Sequence, residues 1–226
     1  GGTEQELDQI TREILEAEIK SGEPKVFGLG MPYTFQYRYM LRILAMVKEI
    51  KPDIITVVGG EHPSVLDKEC MKESPHIDII VRGEGEKPMA ELLDAITNQK
   101  GFENVQGITY RTEDGEVVQT KRRTFMDMNE APMVRFDMLP KKFFSGRTIN
   151  ISPTRGCEYS CRFCAERIFW GNAQRAIPSD RIVAEMESIV KSKLDYTFIN
   201  LEDSMLDMRT PYYMEVMGKI AEVKDK

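Results

Sequence analysis

Apolar residues change their period along this chain, and the changes mark out its elements. Residues 3–20 place Leu7, Ile10, Ile14 and Ala17 at helical spacing with acids on the other side, which predicts an amphipathic helix. Ser21-Gly22-Glu23-Pro24 stops it. Lys25-Val26-Phe27-Gly28-Leu29-Gly30 reads as a short apolar strand ending in glycine. A helix over roughly 35–50 turns Met40, Leu44 and Val47 inward, and Pro52 ends it. Ile54-Ile55-Thr56-Val57-Val58 is a continuous β-branched run, the signature of a strand covered on both faces, and it closes in Gly59-Gly60.

The pattern repeats with a helix over 64–73, a strand Ile77–Val81, glycines at Gly83 and Gly85, and a helix over 87–98. Strand, glycine turn and helix, three times over, predict a parallel, doubly wound sheet. Ligands of such sheets sit beyond the carboxyl ends of the strands, here Gly28–Thr34, Gly59–Ser64 and Arg82–Glu86. Gly107–Thr112 and Glu116–Thr120 flank Glu113-Asp114-Gly115, a hairpin signal. Residues 124–147 show no period and read as a linker. A strand over Thr148–Ser152 follows, then a helix over 179–192 with Ile182, Met186 and Ile189 inward, opened by Ser179 or Asp180. A strand Tyr196–Leu201 ends in Glu202-Asp203, and a helix over 211–224 comes last. The expected organisation is an α/β unit over 1–100, a hairpin and linker over 101–147, and a second α/β unit over 148–226. Two strands are too few for an independent sheet, and the first unit opens on a helix, so both ends are expected to be cut from something longer.

Composition narrows the partners. A formal charge of −6 argues against nucleic acid, and Lys121-Arg122-Arg123 is short enough to be a solvated hairpin end. No apolar run approaches the ~18 residues of a membrane span, and the first residues lack the features of a signal peptide. Three clustered cysteines and a distant Cys70 do not make a disulfide framework, which predicts a reduced, cytoplasmic chain. Cys70 itself reads as a helix-face core residue.

The chemistry concentrates in Thr154-Arg155-Gly156-Cys157-Glu158-Tyr159-Ser160-Cys161-Arg162-Phe163-Cys164. Thiolates spaced C-x3-C-x2-C, in a loop opened by Gly156, can turn toward one centre, so Cys157, Cys161 and Cys164 are candidate ligands for a thiophilic metal or an iron–sulfur cluster. Structural zinc normally takes four Cys or His ligands, and the only histidines, His62 and His76, lie far upstream. A ferredoxin wants a fourth cysteine. Unligated, buried cysteines are the plainest alternative. A cubane held by three thiolates leaves one iron open to an exogenous molecule.

This spacing, with Phe163 just before the last cysteine and a βαβ pattern after it, resembles the radical S-adenosylmethionine (radical SAM) enzymes. The resemblance implies a [4Fe–4S] cluster on Cys157, Cys161 and Cys164 that binds S-adenosylmethionine at its open iron. One-electron cleavage then yields methionine and a 5′-deoxyadenosyl radical. It also implies Phe163 near the adenine and Glu202 and Asp203 near the cofactor's ammonium, although an acidic pair at a strand end is often a solvated turn. Arg175 is a candidate partner for a carboxylate, or a surface arginine.

Val58-Gly59-Gly60-Glu61-His62-Pro63 and Val81-Arg82-Gly83-Glu84-Gly85-Glu86, then the hairpin, then the cysteine loop, form an order similar to the cobalamin-binding branch of that superfamily. The fold so implied is α/β: a partial doubly wound, Rossmann-like sheet of the cobalamin-binding type, followed by the first two βα units of a radical SAM partial TIM barrel. Gly59, Gly60, Gly83 and Gly85 are then expected to let backbone approach the corrinoid, with Glu84 and His62 beside it. The D-x-H-x-x-G element that supplies an axial histidine in some cobalamin domains is absent. The implied function is reductive cleavage of S-adenosylmethionine, with cobalamin, for methyl transfer or ring formation on a small molecule. A flavodoxin- or ferredoxin-type protein is the implied electron donor. Such a domain has about six βα units and this chain two, so these residues alone are expected not to turn over. A corrinoid or iron–sulfur sensing module is the non-enzymatic alternative. A tRNA methylthiotransferase would carry a second three-cysteine cluster, where this chain has only Cys70.

Overall fold

The structure is a computed structural model that describes residues 3–138, 148–192, 194–207 and 209–224. The last part of the expected linker, 139–147, lies outside the described residues. Two compact units divide the chain, Gly1–Thr124 and Phe125–Lys226.

In the first unit Thr3 opens α1 (Glu4–Gly22) with a reciprocal cap: the Glu6 amide donates to Thr3 Oγ1 and the Thr3 amide to Glu6 Oε2. There follow β1 (Val26–Gly30), a 3-10 turn (Thr34–Gln36), α2 (Tyr37–Ile50), β2 (Ile55–Gly59), α3 (Glu61–Val65), α4 (Asp67–Glu73), β3 (Ile79–Val81), α5 (Glu86–Thr97), β4 (Ile108–Arg111) and β5 (Val117–Gln119). The sheet order is β1-β2-β3-β4-β5; β1, β2 and β3 run parallel, and β4 and β5 are antiparallel additions. Alternation within the β-branched strands feeds two cores. Val58 and Ile80 pack with Leu44 and Met71 on one face, and Val57 and Ile79 with Leu92 and Ile108 on the other. Burial on both faces is why these strands read as unbroken apolar runs.

Three expectations change. The helix expected over 64–73 is two short helices. The helix expected to bury Leu7, Ile10 and Ile14 exposes them. It meets α2 instead through Leu15 and Ile19, the Thr11–Tyr39 hydroxyl pair at 2.7 Å, and the ion pairs Arg12–Glu49 and Arg42–Glu4. The packing face therefore carries Leu15, Ile19 and these polar contacts, and not the predicted stripe. The hairpin expected in a connecting segment extends the sheet, with Val81 opposite Ile108.

Asp67 explains why the hairpin stays there. This buried carboxylate accepts hydrogen bonds from Thr109 Oγ1 on β4 and from Gln119 Nε2 on β5, the latter at 2.5 Å. Arg82 Nε lies 3.7 Å from it, while Arg82 Nη2 donates to the carbonyls of Ile108 (3.0 Å) and Thr120 (2.5 Å). Burial pushes the Arg82 guanidinium below its ordinary pKa, and the charge of Asp67 opposes that shift.

The second unit contains a 3-10 turn (Phe136–Met138), β6 (Thr148–Ile151), β7 (Thr154–Arg155), α6 (Glu166–Trp170), β8 (Arg175–Ala176), α7 (Ser179–Ser192), β9 (Phe198–Leu201) and α8 (Pro211–Lys224). β6 pairs in parallel with β9 across the α7 crossover, Ile149 beside Ile199, over a core that includes Ile182, Ile189 and Val216. The segment before β6 docks on α7: Arg181 donates to the carbonyls of Met128, Asn129 and Ala131, and buried Glu185 accepts the Val134 amide at 3.2 Å. Among the described residues no helix is long and apolar enough to cross a membrane.

Asp67→Ala removes the common acceptor of both hairpin strands and leaves Arg82 buried without its counter-charge. We expect it to lower the unfolding free energy of the first unit by about 3 kcal/mol. Urea unfolding followed by far-UV circular dichroism measures this, and a loss below about 1 kcal/mol, the level of a surface ion pair, contradicts it.

Candidate functional site

The cysteine loop leaves the sheet at β7 and returns at β8. These two short strands pair antiparallel, Thr154 with Ala176 and Arg155 with Arg175, and close the base of the loop. Gly156 makes this closure possible. Its φ is +85°, and a Cβ there would lie 2.4 Å from the carbonyl oxygen of Ala173. Around the return, the Arg155 guanidinium lies 5.6 Å from the Trp170 ring centroid, and buried Phe169 packs edge-on against Trp170 at 4.5 Å. Gly171, at φ +81°, makes room for the Phe125 ring. Arg175, weighed as a carboxylate partner, lies over that ring at 4.6 Å and donates to the Met126 carbonyl at 3.1 Å.

All three cysteines of the loop are free; Cys161 is exposed and Cys157 and Cys164 are half-buried. The Cys164 amide donates to the Cys161 carbonyl at 3.2 Å, a tight turn that keeps these two neighbours together. Among the described residues, no three Cys, His, Asp or Glu side chains converge as a metal-holding group. The loop therefore presents its thiols without gathering them. Three unpaired soft donors on one accessible loop, fixed at its base, nonetheless suit a thiophilic centre. Phe163 is 93% exposed.

Glu202 and Asp203, adjacent in sequence, point to different surroundings. Glu202 is exposed at the end of β9, and its amide donates to the Ile151 carbonyl at 2.9 Å. Asp203 faces inward. Its Oδ1 accepts from Thr154 Oγ1 at 2.5 Å and from the Ser204 amide at 3.1 Å, and its Oδ2 accepts from the Tyr213 hydroxyl. Burial pushes the Asp203 carboxyl above its ordinary pKa, against the pull of these hydrogen bonds.

At the strand ends of the first unit the glycines are of two kinds. A Cβ on Gly60 (φ +113°) would lie 2.7 Å from the Met31 backbone, so Gly60 lets two strand ends pack together. A Cβ on Gly28, Gly30 or Gly83 would meet nothing within 4 Å, so the backbone there is open. Gly59 and Gly85 pack against Val81. Glu84 is half-buried. Ser64, which no sequence signal singled out, donates to the Gly60 carbonyl at 2.6 Å and accepts the Gly83 amide at 2.9 Å, tying two glycine loops together. The His62 ring lies 4.4 Å from that of Tyr37 at a tilt of 44°, with Nδ1 3.0 Å from Thr34 Oγ1. Tyr33 and Phe35 stack at 5.5 Å beyond β1, and Phe35 is 82% exposed.

Residues 5–93 match the family described as B12 binding domain. Over 212 residues, 87% of this chain, the sequence is 34% identical to the anaerobic magnesium-protoporphyrin IX monomethyl ester cyclase of Rubrivivax gelatinosus. The chain resembles the cobalamin-binding branch of the radical SAM superfamily. A second relative, the hopanoid C-3 methylase of Methylococcus capsulatus, is 24% identical over 90% of this chain. The fold agrees with that of the radical S-adenosylmethionine methyltransferase TsrM from Kitasatospora setae, with a TM-score of 0.75 over 95% of this chain and 43% of that one, at 18% identity. The chain spans 37% of the cyclase and 42% of the methylase. The matched part of this chain includes both the B12-binding match and the three-cysteine loop.

Gly156→Ala puts a methyl group into the Ala173 carbonyl at a left-handed φ, and we expect a cost of about 2–4 kcal/mol to the second unit. Trp170, the single tryptophan, sits in the return of this loop, so its fluorescence through urea unfolding reports the change directly. A midpoint unchanged from the wild type contradicts the close approach.

Proposed function

We propose that this chain is the cofactor-holding part of a cobalamin-dependent radical SAM enzyme acting on a small molecule by methyl transfer or ring formation. The observation that carries the reading is the set of three free thiols on one accessible loop, closed at its base by the β7–β8 pair. In this reading Cys157, Cys161 and Cys164 hold a [4Fe–4S] cluster. When bound, such a centre supplies a low-potential electron and an open iron position for S-adenosylmethionine.

The chain's own residues then have distinct tasks. The three thiolates fix the centre to a loop whose base cannot slide, because Gly156 and Ala173 are already in contact. Phe163, one residue before Cys164 and almost wholly exposed, offers its ring to the adenine. Glu202, exposed at the end of β9, offers a carboxylate to the cofactor's ammonium. In the first unit, open backbone at Gly83 gives a corrinoid its closest approach, with Gly59, Gly60 and Gly85 shaping the same strand ends. Glu84 lies within that loop. His62, held through Nδ1 by Thr34 and through its ring by Tyr37, keeps Nε2 for a corrin side chain. A flavodoxin- or ferredoxin-type protein delivers the electron, and the cytoplasm is the compartment that keeps these thiols reduced.

Anaerobic reconstitution with iron, sulfide and hydroxocobalamin tests the reading. We expect iron and sulfide uptake, a retained corrinoid, and an EPR signal of the reduced cluster that changes on adding S-adenosylmethionine. Cys161→Ala should lose the cluster. Zinc uptake without iron, or a full cluster in Cys161→Ala, overturns the ligand assignment.

A further inference from the structure

The residues that follow β9 grip the cysteine loop at three points. Thr154, three residues before Cys157 and 4% exposed, donates through Oγ1 to Asp203 Oδ1 at 2.5 Å. Glu166, two residues after Cys164, accepts through Oε2 from Ser204 Oγ at 2.6 Å. Gln174, at the end of the return, donates through Nε2 to Thr154 Oγ1 at 3.0 Å and to the Met205 carbonyl at 2.9 Å. Tyr213, on α8 and 1% exposed, completes the arrangement by donating to Asp203 Oδ2. Burial and the neighbouring carboxylate push the Tyr213 phenol far above its ordinary pKa, so it stays a neutral donor.

We infer that Asp203 and Ser204 are positioning residues that lock the two flanks of the cysteine loop together, Asp203 on the entering side and Ser204 on the leaving side. The inference rests on the proposed cluster site and adds a division of labour within Glu202-Asp203. Both oxygens of Asp203 are engaged by protein donors, and a buried carboxylate that gives up such donors is left short of solvation. Recognition of the ammonium therefore falls to exposed Glu202. The lock needs hydrogen-bond acceptors at Asp203, whereas an ion pair to the cofactor needs its charge.

The metal-free 226-residue chain supplies the first test, by amide hydrogen exchange across residues 155–166 read by mass spectrometry. Asp203→Ala should accelerate exchange about ten- to hundredfold, the size expected for losing a hydrogen bond to a charged group. Asp203→Asn should stay within about twofold of the wild type, because its amide oxygen still accepts from Thr154 and its NH2 group donates to the Tyr213 oxygen. Thr154→Val, which removes the donor to Asp203 and the acceptor of Gln174, should accelerate exchange at least as much as Asp203→Ala and keeps the test open if that variant does not fold. Unchanged exchange in Thr154→Val, or exchange in Asp203→Asn as fast as in Asp203→Ala, overturns the inference. On the iron-loaded chain, Glu202→Gln should abolish the change that S-adenosylmethionine makes to the EPR signal, and Asp203→Asn should keep it; the reverse also overturns the inference. Failure of the wild type to take up iron counts against the proposed function alone, since the exchange measurement still decides the lock.

Discussion

A carboxylate removed from water must be met by donors, and this chain repeatedly draws those donors from distant segments. Asp67 on α4 takes them from both strands of the hairpin. Asp78, just before β3, takes them from Lys48 at 2.6 Å and from the Thr56 amide at 2.7 Å, joining α2, β2 and the start of β3. Glu185 on α7 takes the Val134 amide. Asp203 takes the hydroxyls of Thr154 and Tyr213. In each case the apolar core brings elements roughly together, and the acid then permits one arrangement, since any other leaves it unsatisfied.

This explains which parts of the structure were legible beforehand. The β-branched runs, the glycine turns and the helices over 179–192 and 211–224 are local patterns, and they appear where periodicity places them. The cysteine spacing was legible for the same reason, since it lies within eight consecutive residues. The acid pairings were not, because Asp67 and Gln119 are 52 positions apart and Thr154 and Asp203 are 49 apart. Nothing local to Asp67 distinguishes it from an ordinary helix N-terminal acid. The stripe predicted for α1 is exposed for a related reason: the face it packs, Leu15 and Ile19 with the Thr11–Tyr39 pair, depends on partners in distant segments, Ile19 and Leu15 packing with Val47 and Ile54.

The glycines show the same limit. Gly60, Gly83 and Gly156 look alike in sequence, each beside a strand end and each with positive φ. Gly60 and Gly156 are required because other backbone lies where a side chain would go, whereas Gly83 opens on empty space. Only the neighbour, which comes from elsewhere in the chain, tells a packing glycine from one that faces open space.

The ladder between β7 and β8 bears on how thiols and metal would meet. Three donors on a free chain lose considerable conformational entropy when they are drawn to one point. Here the base of the loop has already met that loss during folding, and the span around Tyr159 and Arg162 is what remains to be ordered. Under the proposed function, such a loop is a chelator with its hinge closed and its jaws open: capture of a centre would order the tip alone and leave the β7–β8 pair beneath it as it is.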